Sequence, residues 1–160
     1  MERILITYGT RPLGQRLGRL LDEPERIGYG SCEAIPQFMM GTGKYLSIPH
    51  GESPAYLHEV LKSCLDHHYD VLVPLGKAEV GPLAAGKQLF AEYGIRVLIP
   101  DISLLEELSV LENPGAGITI DLVSEGVSLL GQPPAVPPEL SGVFAFQPDV
   151  PGAALCYLTD

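Results

Sequence analysis

Arg3–Leu21, RILITYGTRPLGQRLGRLL, decides the fold. Ile4-Leu5-Ile6 is an apolar run of strand length that Thr7 and Tyr8 carry to Gly9. Thr10-Arg11-Pro12 is a polar turn, and Leu13, Leu17, Leu20 and Leu21 then recur at helical spacing. A short strand, a glycine turn and an amphipathic helix, in that order, open a parallel α/β domain. Gly9 stands where the chain must reverse, so a positive φ is expected there, which glycine adopts without steric cost. Pro12 suits the first helical turn, where a missing N–H loses no bond. Gly14 and Gly18 are four residues apart, share a helix face, and predict close approach to the sheet. The free N–H groups at the helix start, with Arg11 beside them, offer an anion seat; the alternative is a purely structural turn. The spacing is not a nucleotide fingerprint. Arg11 stands where a dinucleotide motif needs glycine, and Gln15-Arg16 follow Gly14 where a Walker loop needs Lys-Ser/Thr.

Downstream, strands and helices alternate. Arg26–Gly30 and Tyr45–Pro49 read as the second and third strands, with a turn or two of helix from Ala34 to Met40 between them. Gly41-Thr42-Gly43-Lys44 reads as a turn rather than a phosphate loop, because no strand precedes it and no long helix follows. Ser53-Pro54 offers an N-cap and a proline at N1 for a helix striped by Leu57, Val60, Leu61, Cys64 and Leu65. Val71–Leu75 is near-continuously apolar, as a strand buried on both faces must be. A helix from Leu83 to Tyr93, a fifth strand from Ile95 to Pro100, and a helix from Leu104 to Leu111 capped by Asp101 follow. Five such strands predict a doubly wound, Rossmann-like parallel sheet over residues 1–112. Residues 113–160 read as a β-rich extension. It holds a hairpin around Ser124-Glu125-Gly126, a four-proline connector from Gln132 to Pro138, and strands at Val143–Phe146 and Ala153–Leu158.

The totals set limits. A chain of 160 residues with 46% hydrophobic and 19% charged residues suits one globular unit. A net charge of −10 argues against nucleic acid or an anionic membrane as a partner, since both select a basic face. No apolar run reaches the roughly 18 residues of a membrane span, and the start does not read as a signal peptide. Cys32, Cys64 and Cys156 are odd in number and lack a CxxC pair, so reduced thiols and a cytoplasmic location are expected.

Three stretches carry a likeness to a known family: the opening ILITYGTRPLGQRLGRLL, then AIPQFMMGTGKYLSIPHGESPAYLHEVLKSC, then YDVLVPLGKAEVGPLAAGKQLFAEYGIRVLIPD. Together they resemble the N-terminal (pre-ATP-grasp) domain of ATP-grasp enzymes, most nearly that of the carbamoyl phosphate synthase large subunit. The likeness covers roughly 100 residues and rests on the order of the elements: a first-strand glycine turn, a strand ending in Ile-Pro, and a closing Gly-Ile-x-Val-x-x-Pro-Asp. It implies a domain that helps hold a carboxylate or amine substrate, while ATP and magnesium sit in later domains. Those domains supply a lysine and metal-binding acids. Here Gln147 of Val143–Pro148 stands at the lysine's place, and no downstream Glu…Glu-x-Asn set follows. The chain itself is therefore expected to carry no cofactor and no metal. ATP chemistry, that of a carboxylate-amine ligase, would need a partner ATP-grasp chain.

Open parallel sheets bind ligands beyond the carboxyl ends of their strands, where strand order reverses. The residues the sequence brings there are Gly9, Thr10 and Arg11 after the first strand, and Glu33 after the second. His50 and Glu52 follow the third, Lys77 and Glu79 the fourth, and Asp101 the fifth. Arg11 and Lys77 are expected to face each other and to hold a small carboxylate or phosphate-like anion. Glu79 reads either as an amine-orienting acid or as a helix N-terminal acid, and His50 as an acid/base or a surface histidine. His67 and His68 read as partners of a helix C-terminus, and Tyr56 and Leu57 as packing. No catalytic residue is assigned. A nucleotide-binding enzyme using the Gly9 turn and a structural homodimer built on the β-rich tail are the alternatives.

Overall fold

The computed structural model describes residues 2–160. β1 (Ile4–Ile6), β2 (Ile27–Ser31), β3 (Tyr45–Ser47), β4 (Val71–Val73) and β5 (Arg96–Val97) form one all-parallel sheet, in the order β3-β2-β1-β4-β5. The chain steps outward from β1 to β3 and then returns to lay β4 on the other side of β1. Strand order therefore reverses between β1 and β4. The connecting helices are α1 (Pro12–Leu21), the short α2 (Gln37–Met40), α3 (Tyr56–Asp66) and α4 (Lys77–Glu92).

Side chains alternate across a strand, so each of β1 and β4 feeds two cores. Ile4, Ile6, Val71 and Val73 pack with Leu13, Leu17 and Leu21 of α1. Leu5 and Leu72 pack with Tyr56, Val60 and Leu61 of α3 and with Leu83 and Phe90 of α4. Helices thus cover both faces, and the class is α/β with a five-stranded all-parallel sheet.

A second sheet follows. After a short helix, α5 (Ile102–Leu105), come β6 (Val110–Glu112), β7 (Thr119–Ser124), β8 (Val127–Ser128), β9 (Gly142–Phe146) and β10 (Ala154–Tyr157). Their order is β6-β10-β9-β7-β8, antiparallel except for the β6/β10 pair. The β7/β8 hairpin turns on Glu125 and Gly126, both at positive φ, the two-residue geometry whose twist suits a hairpin. Ile120, Leu122, Val143, Ala145 and Cys156 join the same core as Ile4, Ile6 and α1. The second sheet therefore completes the layer that α1 begins. Its other face packs Phe144, Leu155 and Tyr157 against Leu104, Leu105 and Leu108.

Four local expectations are corrected. Tyr8, not Gly9, takes the positive φ (50°) at the end of β1. Gly9 is needed for space, because a Cβ there would overlap the Tyr29 side chain. Ser53 does not cap α3, which starts at Tyr56 after a turn in which the Ala55 N–H donates to Ser53 Oγ. α4 begins at Lys77, six residues before Leu83, and carries Pro82 within it. Finally, the helix after Asp101 stops at Leu105, and Val110–Glu112 is a strand because β10 offers it a parallel partner.

Candidate functional site

The carboxyl ends of β1 and β4 carry a two-tier polar cluster at the reversal of strand order. The inner tier is buried. Thr7 follows β1 and is fully enclosed; its hydroxyl accepts the Leu75 N–H (2.8 Å), which turns its own proton toward Glu79 Oε1 (2.6 Å). The Gly76 N–H donates to the same Oε1 (2.8 Å), and the Tyr56 hydroxyl donates to Oε2 (2.5 Å). Glu79, in the first turn of α4, is thereby tied to β1, α3 and its own helix start while only 1% exposed. Burial pushes its carboxyl above the usual range, against the three donors, which act the other way. Burial likewise pushes the Tyr56 phenol up, with Glu79 adding to the effect.

The outer tier reaches the surface: Asp160, His50, Arg11 and Glu33 are partly exposed around the buried Tyr8. The Tyr8 hydroxyl donates to Asp160 Oδ1 (2.9 Å), and His50 Nε2 lies 2.5 Å from Asp160 Oδ2. The Glu52 N–H donates to His50 Nδ1 (3.1 Å), so the neutral imidazole carries its proton on Nε2 and donates it to Asp160. Hydrogen bonding to Asp160 holds His50 above its ordinary value, and His50, followed by Tyr8, holds Asp160 below its own. Beside them Arg11 makes a two-pronged pair with Glu33, Nε to Oε1 at 2.8 Å and Nη2 to Oε2 at 2.7 Å, with both side chains about a third exposed. That pairing raises Arg11 and lowers Glu33. The Arg11 guanidinium also lies 5.5 Å from the Tyr8 ring centroid and reaches the Thr159 carbonyl (3.4 Å). Burial pushes up both the Tyr8 hydroxyl and the Cys32 thiol beside it, which keeps that thiol protonated and a poor nucleophile.

Glycines let these groups converge. A Cβ on Gly76 would overlap the Tyr8 ring, and one on Gly14 would stand 2.7 Å from the Tyr8 carbonyl oxygen. A Cβ on Gly18 would overlap the Tyr29 hydroxyl, so the two helical glycines bring α1 onto the strand ends, as their spacing suggests.

Of the residues the sequence nominates, Arg11, Glu33, His50 and Glu79 gather around Tyr8. Gly9 is buried there, bonding the Gly30 carbonyl through its N–H and the Gln15 side chain through its carbonyl. Thr10 is half-exposed in the turn before Arg11. Lys77 departs from expectation: it does not face Arg11 but turns outward to Glu112 (2.6 Å), because residues 158–160 intervene. Leu158 bridges Gly76 in parallel and accepts the Lys77 N–H, while Thr159 meets Arg11. Asp101 pairs with Lys87 away from the cluster. The cluster also takes in Thr7, Tyr8, Tyr56 and Asp160, which the sequence does not nominate. Thr7, a hydroxyl in an otherwise apolar run, and Glu79, three residues after Gly76 at capping-box spacing, were the available signals. A cleft of about 750 Å³ lies elsewhere, between α4, β5 and the 138–141 segment, lined in part by Lys87, Arg96, Glu125 and Glu139.

Among the described residues no three His, Cys, Asp or Glu side chains converge as metal ligands, and no helix is long and apolar enough to cross a membrane. Fold and cluster together define an α/β protein with mixed charges at the switch point of a parallel sheet. No protein-family model and no curated protein matches the chain.

Proposed function

We propose that this chain is a ligand-holding domain of the pre-ATP-grasp type. It binds a small molecule bearing a carboxylate, an amine or both at the β1/β4 edge. ATP and magnesium belong to a separate ATP-grasp chain on which the domain docks. The observation that carries this reading is the meeting of two donor–acid pairs around Tyr8: the Arg11 guanidinium with Glu33, and the His50 imidazole with Asp160. Such a cluster complements a zwitterion, whose carboxylate takes the Arg11 and His50 donors and whose ammonium takes the Glu33 and Asp160 acceptors. The strand order and the succession of elements over residues 3–101 support the domain type.

Calorimetry on the full chain with L-amino acids, dicarboxylates, Mg-ATP and NAD tests the reading. Heat is expected with compounds carrying both a carboxylate and an amine, and at least a tenfold loss of affinity with Arg11→Gln. Binding of Mg-ATP or NAD with no response to any amino acid would replace this reading with that of a nucleotide-binding enzyme. A concentration-dependent dimer without ligand binding would replace it with a structural role.

A further inference from the structure

We infer that Tyr8 and His50 form a carboxylate-binding subsite whose present occupant is the chain's own Asp160 side chain. The inference rests on the ligand-holding reading above and assigns one end of the ligand. The contacts are those a bound carboxylate would make. One oxygen takes the Tyr8 O–H (2.9 Å) and the other faces His50 Nε2 (2.5 Å), with the Arg11 guanidinium over the Tyr8 ring. Both donors are set independently of Asp160. The Glu52 N–H fixes the imidazole tautomer. The Tyr8 ring is 2% exposed and lies over Gly76, where no side chain could fit beneath it. Asp160 itself is the exposed member, with more than half its side chain in solvent. A preformed pair of donors holding a loosely anchored carboxylate is the arrangement in which an incoming carboxylate competes with an internal one.

The segment that brings Asp160 is anchored one residue earlier and inward. The Leu158 N–H donates to the Leu75 carbonyl (2.7 Å) and the Lys77 N–H to the Leu158 carbonyl (2.9 Å), so Leu158 stays in place when Asp160 swings out. Thr159 is held by Asn113, which accepts its N–H (3.0 Å). Rotation of the Asp160 side chain about its own bonds is enough to empty the subsite. Residues 158–160 therefore act as a tethered competitor, and the ligand class is a carboxylate small enough to enter between Tyr8 and His50.

The test uses the full chain as wild type, Asp160→Ala, Asp160→Asn and Asp160→Ala/Tyr8→Phe, with sodium acetate and L-aspartate as probes and acetamide as the neutral control. Binding is read from the His50 imidazole resonances, and circular dichroism reports folding. Asp160→Ala is expected to bind both carboxylates at least tenfold more tightly than wild type, with no response to acetamide. Adding Tyr8→Phe should reverse at least threefold of that gain. Asp160→Asn, which keeps the shape and loses the charge, should fall between and serves if the alanine variant does not fold. Equal L-aspartate affinity in wild type and both Asp160 variants would overturn the subsite while leaving the ligand-holding reading intact. Acetate binding to Asp160→Ala, with L-aspartate no tighter, would uphold the subsite and remove the amine from the ligand. Folded Asp160 variants that bind neither probe would overturn both.

Discussion

Glu79 shows how one side chain sets a pH dependence. Its carboxyl is buried with a raised pKa, so between its unfolded and folded values the native state holds a proton that the unfolded state has released. Stability is then full below the unfolded value and falls as pH rises toward the folded one. Glu79→Gln should flatten that part of the stability–pH curve, measured by urea denaturation across pH 4 to 8. Glu79→Ala strands the Thr7, Tyr56 and Gly76 donors and should cost about 3 kcal/mol at the acid end of that range, and less as pH rises. The outer pair has a two-sided signature instead. His50 is raised and Asp160 lowered, so their mutual stabilisation is present between the two pKa values. It fades as pH climbs through that of His50 or drops through that of Asp160. Asp160→Asn should lower the His50 pKa followed by NMR.

The glycines of α1 separate two kinds of close approach. At Gly14 the obstacle is the backbone of Tyr8 and Gly9; at Gly18 it is the tip of the Tyr29 side chain. An alanine normally gains up to about 1 kcal/mol over glycine inside a helix. Gly14→Ala should instead cost about 2–3 kcal/mol because backbone must move. Gly18→Ala should cost less, and Tyr29→Phe should restore part of its loss but none of the loss at Gly14. Thermal unfolding of the four variants decides it.

At the level of elements, what the sequence disclosed follows from burial. β1 and β4 lie in the middle of the sheet, are covered on both faces, and read as unbroken apolar runs. α1 faces one core and shows a clean leucine stripe. Gly81 and Pro82, a pair that ordinarily marks a helix boundary, hide the first turn of α4 in the sequence. Pro82 has no N–H to offer the Ala78 carbonyl one turn back, and Gly51 lies against that peptide with no room for a side chain. A Cβ at Gly51 would stand 2.5 Å from both the carbonyl carbon and the oxygen of Ala78. Gly51→Ala should therefore cost about 2 kcal/mol and shift the amide resonances of residues 77–79. β6 was unreadable for a different reason: three residues are a strand only because β10, more than forty positions later, pairs with them. The same distance hid half of the site. Tyr8 and Asp160 are 152 residues apart, and nothing local in either announces the other.

For the whole molecule, the two sheets share one core. Ile120, Leu122, Val143, Ala145, Cys156 and Leu158 lie in the same apolar cluster as β1, β4 and α1. Ending the chain at Glu112 would expose the face that they cover and remove the partner of β6. Such a fragment is expected to retain helical circular dichroism but lose a cooperative melting transition and bind a hydrophobic dye. A sharp transition near that of the full chain would show that residues 2–112 stand alone.

The shared core also has a consequence for biosynthesis. A ribosome releases residues 3–101, with all five parallel strands and their helices, well before residues 119–158 emerge. Until then the greasy side of β1 and β4 beside α1 has no roof. A half-made chain therefore carries a sticky patch that invites chaperone capture or clumping.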